Sequence, residues 1–193
     1  MWILSLEWLL LALAVFWVVG ALKRLKRLRR QGRETFVAVD AQFVQLAELL
    51  RSCARMQSLK ERVSSVYVQQ AHHALLPCAD LLESALQQAR QHPLRPEAIA
   101  ALDGAWQGAQ VAWNAYVQLC GESESVHAGH IQEWSQRWLQ LQTLQSHSTE
   151  QFNTSVHTYN RAIAQFPVCA IARVSGHRAG RTFHKDAALR MQP

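Results

Sequence analysis

The chain has 193 residues, with 20 Lys and Arg against 14 Asp and Glu, a formal net charge of +6. That length suits one sizeable domain rather than two. Seven basic residues (Lys23, Arg24, Lys26, Arg27, Arg29, Arg30 and Arg33) fall in one run of eleven, and without them 13 positive charges face 14 negative. The excess is local, so no nucleic-acid partner is expected of the folded part. Only eight Gly and five Pro, with many Ala, Leu and Gln, disfavour an all-β chain, and 49% hydrophobic content excludes a wholly disordered one.

From Trp2 to Leu22 lie 21 residues with Glu7 as the only charge. As a helix this segment is ~31 Å long, matching a hydrocarbon core of ~30 Å. Trp2, Trp8 and Trp17 lend it interfacial character, and Glu7 lies close enough to its start to reach the headgroups. A cleaved signal peptide is the competing reading, with Val19-Gly20-Ala21 as a tolerable cleavage stretch. Signal peptides carry their positive charges before the apolar run, whereas here they follow it. Residues 1–22 therefore read as a retained transmembrane anchor and 23–33 as a basic juxtamembrane segment. The positive-inside rule then expects a single-pass inner-membrane protein, N-terminus outside, C-terminal part in the cytoplasm. The same run would attract anionic lipid.

Cys53, Cys78, Cys120 and Cys169 are widely spaced and form no CxxC pair. Free thiols buried as small hydrophobes are expected in a reducing compartment; two disulfides remain possible by arithmetic.

Three stretches beyond the anchor show helical periodicity and none shows sustained strand alternation. In residues 34–91, Phe36, Val39, Phe43, Leu46, Leu50 and Cys53 step alternately by three and four, a heptad seam of coiled-coil type. Met56, Leu59, Val63 and Val66 extend it past a stammer, and Pro77 is expected to kink or interrupt the helix. His92-Pro93 to Pro96 forms a break. A second helix is predicted over 96–120, on Ile99, Leu102, Trp106, Ala109, Trp113, Tyr116 and Cys120. Gly121 would be its C-cap, and Gly104 and Gly108 would admit a close helix approach. The third is predicted from Glu122 or Ser125 to Phe166, on Ile131, Trp134, Trp138, Leu141, Gln145, Ser148 and Phe152. The expectation is an all-α fold, with the transmembrane helix followed by an antiparallel bundle of three to four long helices over 34–167. A basic tail, 168–193, would follow.

The end of the third helix carries a seven-residue repeat: Phe152-Asn153-x-x-Val156, Tyr159-Asn160-x-x-Ile163, Phe166-Pro167. Its aromatics share one face, beside which two amides can fix register against a partner helix, because other alignments leave them unpaired. This pattern resembles the last long helix of the LemA family, with Phe152 replacing the family's first tyrosine. Ala172, Gly176 and Phe183 resemble the family's closing pattern of the same residue types. Leu75-Leu76-Pro77 is similar to its LIP element, with Gln69 in register. The chain departs from the family at His72, His73 and Ala74, where an arginine pair and an acidic residue are usual, and it has no recognisable AWSQ-like segment. The resemblance implies a divergent, membrane-anchored, helical bacterial protein, with no catalytic activity or cofactor to carry over.

Chemistry-bearing residues are sparse. His127 and His130 lie three apart, flanked by Glu124 and Glu133, and could supply two or three metal ligands from one helix. Without HExxH or facing Glu-x-x-His pairs, surface histidines at a helix start are the simpler reading. His72 and His73 are adjacent and diverge by ~100° on a helix, which disfavours shared chelation. No nucleophile elbow or phosphate loop occurs. Asp80 and Glu83 read as a solvated face. Residues 161–193 carry Arg161, Arg173, Arg178, Arg181, Lys185 and Arg190 against Asp186, while 34–160 carry 7 positive and 12 negative charges. The tail would either neutralise the bundle or a partner, with Phe183 as its apolar anchor, or touch anionic lipid. The functional expectation is a non-enzymatic interaction or scaffold module with an unidentified protein partner or self-association. The alternative is a metal- or ligand-binding sensor or enzyme using the helix-borne histidines.

Overall fold

The computed structural model describes residues 2–58, 66–122 and 128–184, with side chains over 7–55, 66–120 and 131–184. Among the described residues the chain is helical, with no strand: α1 (Trp2–Ser58), α2 (Val66–Gln91), α3 (Pro96–Glu122), α4 (Ala128–Ala164) and a short α5 (Val168–Val174).

One unbroken helix of 57 residues, α1, carries both the apolar N-terminal segment and the first bundle seam. It contains the one stretch among the described residues long and apolar enough to cross a membrane. Trp8, Leu9, Leu13 and Phe16 there are exposed, whereas Leu25 and Leu28 are already buried against Tyr159, Ala162 and Ala172. Packing thus begins within a turn of the apolar segment's end, and residues 23–33 belong to the same rod.

The seams explain the bundle. Phe36, Val39, Phe43, Leu46, Leu50 and Cys53 are all buried, as are Ile99, Leu102, Trp106, Ala109, Trp113, Tyr116 and Cys120. Each fully buried Leu or Phe contributes about 1.5–3 kcal/mol, which is why heptad spacing here settles the helix faces. In α4, Trp138 stacks on Trp113 at 4.8 Å and on Trp106 at 5.5 Å between ring centroids. Phe36 meets Phe152 edge-on at 5.7 Å, and Leu25 and Leu28 meet Tyr159 and Ala162, so α1 and α4 run antiparallel. Arg51 bonds Asp80 at 2.8 Å and also Glu83, while Arg90 bonds Asp40 at 2.7 Å; α1 and α2 are antiparallel too. Asp80 and Glu83 lie on a solvated face, as expected, and from it pair with Arg51 of α1.

Several expectations are corrected. The first periodic stretch is two helices, α1 and α2, and Pro77 lies inside α2 without ending it. Its ring is solvent-exposed, while buried Leu75, Ala79 and Leu82 hold the helix on course. Val66, expected to continue the seam, is exposed; Met56, Leu59 and Val63 fall outside the described side chains. Helix α3 continues past Gly121 to Glu122. Gly104 and Gly108 admit no close approach, since an added Cβ at either would meet nothing within 4 Å. The third helix stops at Ala164, and α5, not anticipated, follows it.

Candidate functional site

The repeat in α4 is occupied by the protein's own tail. Asn153 donates from Nδ2 to the Phe183 carbonyl (3.2 Å) and accepts the Phe183 N–H at Oδ1 (2.9 Å). Asn160 does the same to Gly180, at 2.7 and 2.8 Å. Seven helical residues rise ~10.5 Å, and three extended residues span ~10 Å, so the two amides match the tail's Gly180-to-Phe183 step. The partner whose register they fix is an antiparallel tail segment, not a helix. Asparagine suits both positions because one short side chain presents a donor and an acceptor together.

The tail's own sequence makes this path. At the end of α5, the His177 N–H bonds the Ala172 carbonyl and the Gly176 N–H bonds the Arg173 carbonyl, with Gly176 at φ 71°. This is a Schellman-type stop, and its left-handed residue favours glycine. Gly180 then passes so close to α4 that a Cβ would lie 3.2 Å from Val156 Cγ1. Phe183 is buried, 5.5 Å from Phe152 and 6.1 Å from Phe43 between centroids. His184 reaches Asp103 of α3 at 2.9 Å.

The other repeat residues divide. Val156 and Tyr159 are buried with Phe152 and Asn153, and Ile163 is half-buried. Phe166, expected on the packed face, is 87% exposed. It lies beyond the last turn of α4, in the corner leading through Pro167 to α5, where helical phase no longer applies.

Beside Tyr159, at the end nearer the apolar segment, lies a groove of about 740 Å³. Arg29 and Arg33 of α1 line it, with His92, Arg95 and Glu97 around the α2–α3 turn and His177 and Arg178 after α5. Burial raises the Tyr159 hydroxyl above its ordinary range, and the nearby Arg29 charge opposes this. Of the basic run, Arg29 and Arg33 face this groove, Arg30 pairs with Glu34 at 2.7 Å, and Lys23, Arg24, Lys26 and Arg27 are exposed. Sequence reasoning missed His92, Arg95 and His177 as lining residues, and read Arg178 only as tail charge. Four distant segments supply the groove, so no local spacing signals it.

The distal end is built differently. The Tyr116 hydroxyl lies within hydrogen-bonding reach of the Cys53 and Cys120 thiols. Burial pushes Cys53 up to about 11 and raises Cys120 and Tyr116 as well. All four cysteines are free. His72 is buried against Tyr116, and its Nε2 has no hydrogen-bond partner. No group of three or more His, Cys, Asp or Glu suited to a metal occurs among the described residues. His127, and the side chain of His130, lie outside the described residues.

Tail arginines do not neutralise the bundle through ion pairs: among the described residues, none of Arg161, Arg173, Arg178 and Arg181 forms one. Amides, an aromatic ring and His184 hold the tail instead. No family model, curated protein or solved structure matches this chain.

Proposed function

We propose that this protein is a single-pass, membrane-anchored, LemA-like helical protein that works without catalysis, as a protein-interaction or scaffold module at the bacterial inner membrane. Its N-terminus lies outside and residues 23–193 lie in the cytoplasm. The observation carrying this reading is the continuity of α1 from an exposed apolar segment into the bundle core. A rod of 57 residues is ~86 Å long, and with Leu25 and Leu28 already packed, no flexible linker separates bilayer from bundle. Contact surfaces on such a bundle stand at a fixed height above the membrane, as recruitment requires. The seven basic residues after the apolar segment support the orientation. The repeat and the Ala172–Gly176–Phe183 pattern support the family resemblance, and the Asn clamps and the α5 stop give both a physical role.

Crosslinking in native membranes followed by pull-down tests the scaffold role. A defined partner, or a crosslinked multimer of the chain, is expected; recovery of the protein alone and monomeric defeats it. Reporter fusions at the C-terminus test orientation, with activity expected from a cytoplasmic reporter and silence from a periplasmic one.

A further inference from the structure

Arginines with acidic neighbours use them elsewhere on this protein: Arg30 with Glu34, Arg51 with Asp80 and Glu83, Arg90 with Asp40. The groove arginines do not. Among the described residues Arg29, Arg33, Arg95 and Arg178 form no ion pair, and Glu97 is the one carboxylate on the groove's lining. Gathering four like charges around one concavity costs free energy unless an anion offsets it. The amino-terminal end of the 27-residue α3 opens on the same space, adding its positive dipole end.

We propose that this groove is a binding site for a phosphate-bearing anion, held by the guanidinium groups of Arg29, Arg33, Arg95 and Arg178. Guanidinium forks match phosphate oxygens bidentately, which fits arginine rather than lysine in all four positions. The phosphate can belong to an anionic lipid headgroup or to a soluble phosphorylated compound. Helix register bears on the source. Twelve residues down α1 from Phe36 is Arg24, and twelve along α4 from Phe152 is Ala164, so the last residue of α4 stands two residues from the end of the apolar segment, and Phe166 follows two residues on in the chain. Phe166 is 87% exposed there. Arg29 lies only seven residues beyond the end of the apolar segment, ~10 Å along the helix. Headgroups extend ~5–8 Å beyond the hydrocarbon core, and an arginine side chain spans the remainder. The lipid source therefore rests on the proposed anchor, whereas the phosphate site itself does not.

The test uses the full-length protein purified in detergent. Native mass spectrometry reads adducts with phosphatidylglycerol, cardiolipin and, as the neutral comparison, phosphatidylcholine; calorimetry reads inorganic pyrophosphate. Arg95→Ala with Arg178→Ala removes two groove charges outside the basic run, leaving insertion signals intact. Arg95→Gln with Arg178→Gln retains most of each side chain's packing should the alanine pair unfold. Arg137→Ala on exposed α4 is the control. Wild type is expected to bind, both groove pairs to bind about tenfold more weakly or worse, and Arg137→Ala to match wild type. Anionic-lipid adducts displaced by pyrophosphate assign the site to headgroups; pyrophosphate binding without such adducts assigns it to soluble phosphates. No binding of either, unchanged binding in the glutamine pair, or equal loss in Arg137→Ala overturns the site. Carbonate extraction of the wild type is read separately. Its release from membranes would sink the anchor while leaving the pyrophosphate result standing.

Discussion

At the distal end of the bundle, Cys53, Tyr116 and Cys120 lie buried beside His72, and Trp113 stacks on Trp138 close by. At the end nearer the apolar segment, Arg29, Arg33, Arg95 and Arg178 surround an open groove, and Phe166 and Val174 are exposed. Both ends are closed by the same four helices, so helical periodicity alone does not distinguish them. The difference lies in what finishes each end. Distally, aromatic rings and thiols fill the space between helices and exclude water. At the other end a tail strapped to α4 turns arginines and histidines toward solvent, and the bundle retains concave polar surface. The buried core thus carries through to the distal end, whereas the other end keeps a concave surface lined by charged side chains.

The strap is the element whose loss should change that comparison most. Asn153→Ala leaves the Phe183 N–H and carbonyl buried without partners, costing roughly 2–4 kcal/mol. A chemical-denaturation midpoint should fall accordingly. Asn160→Ala, at a part-buried pair, should cost about 1–2 kcal/mol. If the two effects were equal and small, amide pairing would not be what holds the tail. Asn153→Asp separates pairing from size: it still accepts the Phe183 N–H, but its second oxygen faces the carbonyl and cannot donate, so it should recover little.

The distal end answers to pH instead. The folded-state Cys53 thiol is raised from 9.0 to about 11 by burial. Below about pH 9 both folded and unfolded chains keep the proton, and the stability is fully present. As pH rises from there toward 11 the unfolded chain loses its proton first, so stability should decline across that window. Cys53→Ala should flatten this dependence. The same burial predicts slow alkylation of Cys53 and Cys120 in the native protein and fast alkylation in denaturant; rapid native labelling would mean the distal core is open.

Gly176→Ala should act between these ends in size. Its φ of 71° costs an L-residue about 1–2 kcal/mol, and the variant should loosen the tail's start beside the groove, read as faster proteolysis after α5.

Much of this architecture can be read from the chain because burial follows period. Phe36 to Cys53 and Ile99 to Cys120 alternate three and four, and every one of those positions is buried. The amides were recognisable as register-setting, since polar groups beside an apolar face need partners. Their partner was not, because an extended tail has no periodicity to declare that it runs along a helix. Pro77 misleads because breaking a helix depends on which way the ring faces, and that is set by packing at Leu75 and Ala79. Phe166 misleads because its spacing from Tyr159 is heptad while the helix ends at Ala164. The groove is invisible for a stronger reason: Arg29, Arg95 and Arg178 meet only after three helices have packed.

The smallest expected effect concerns a face belonging to neither end. Gly104 and Gly108 lie a turn apart on exposed α3, with open space where each Cβ would stand. Glycine inside a helix costs about 1 kcal/mol relative to alanine, so Gly104→Ala and Gly108→Ala should each raise stability by up to about that amount, additively if no neighbour intervenes. An isolated chain gains nothing from keeping glycine there. Should the double variant instead lose a crosslinked multimer seen in wild type while its melting temperature rises, the glycines serve approach between copies, and the self-association arm of the scaffold proposal acquires a surface. Should the multimer persist, contacts between copies lie elsewhere, and α3 presents its glycines to solvent alone.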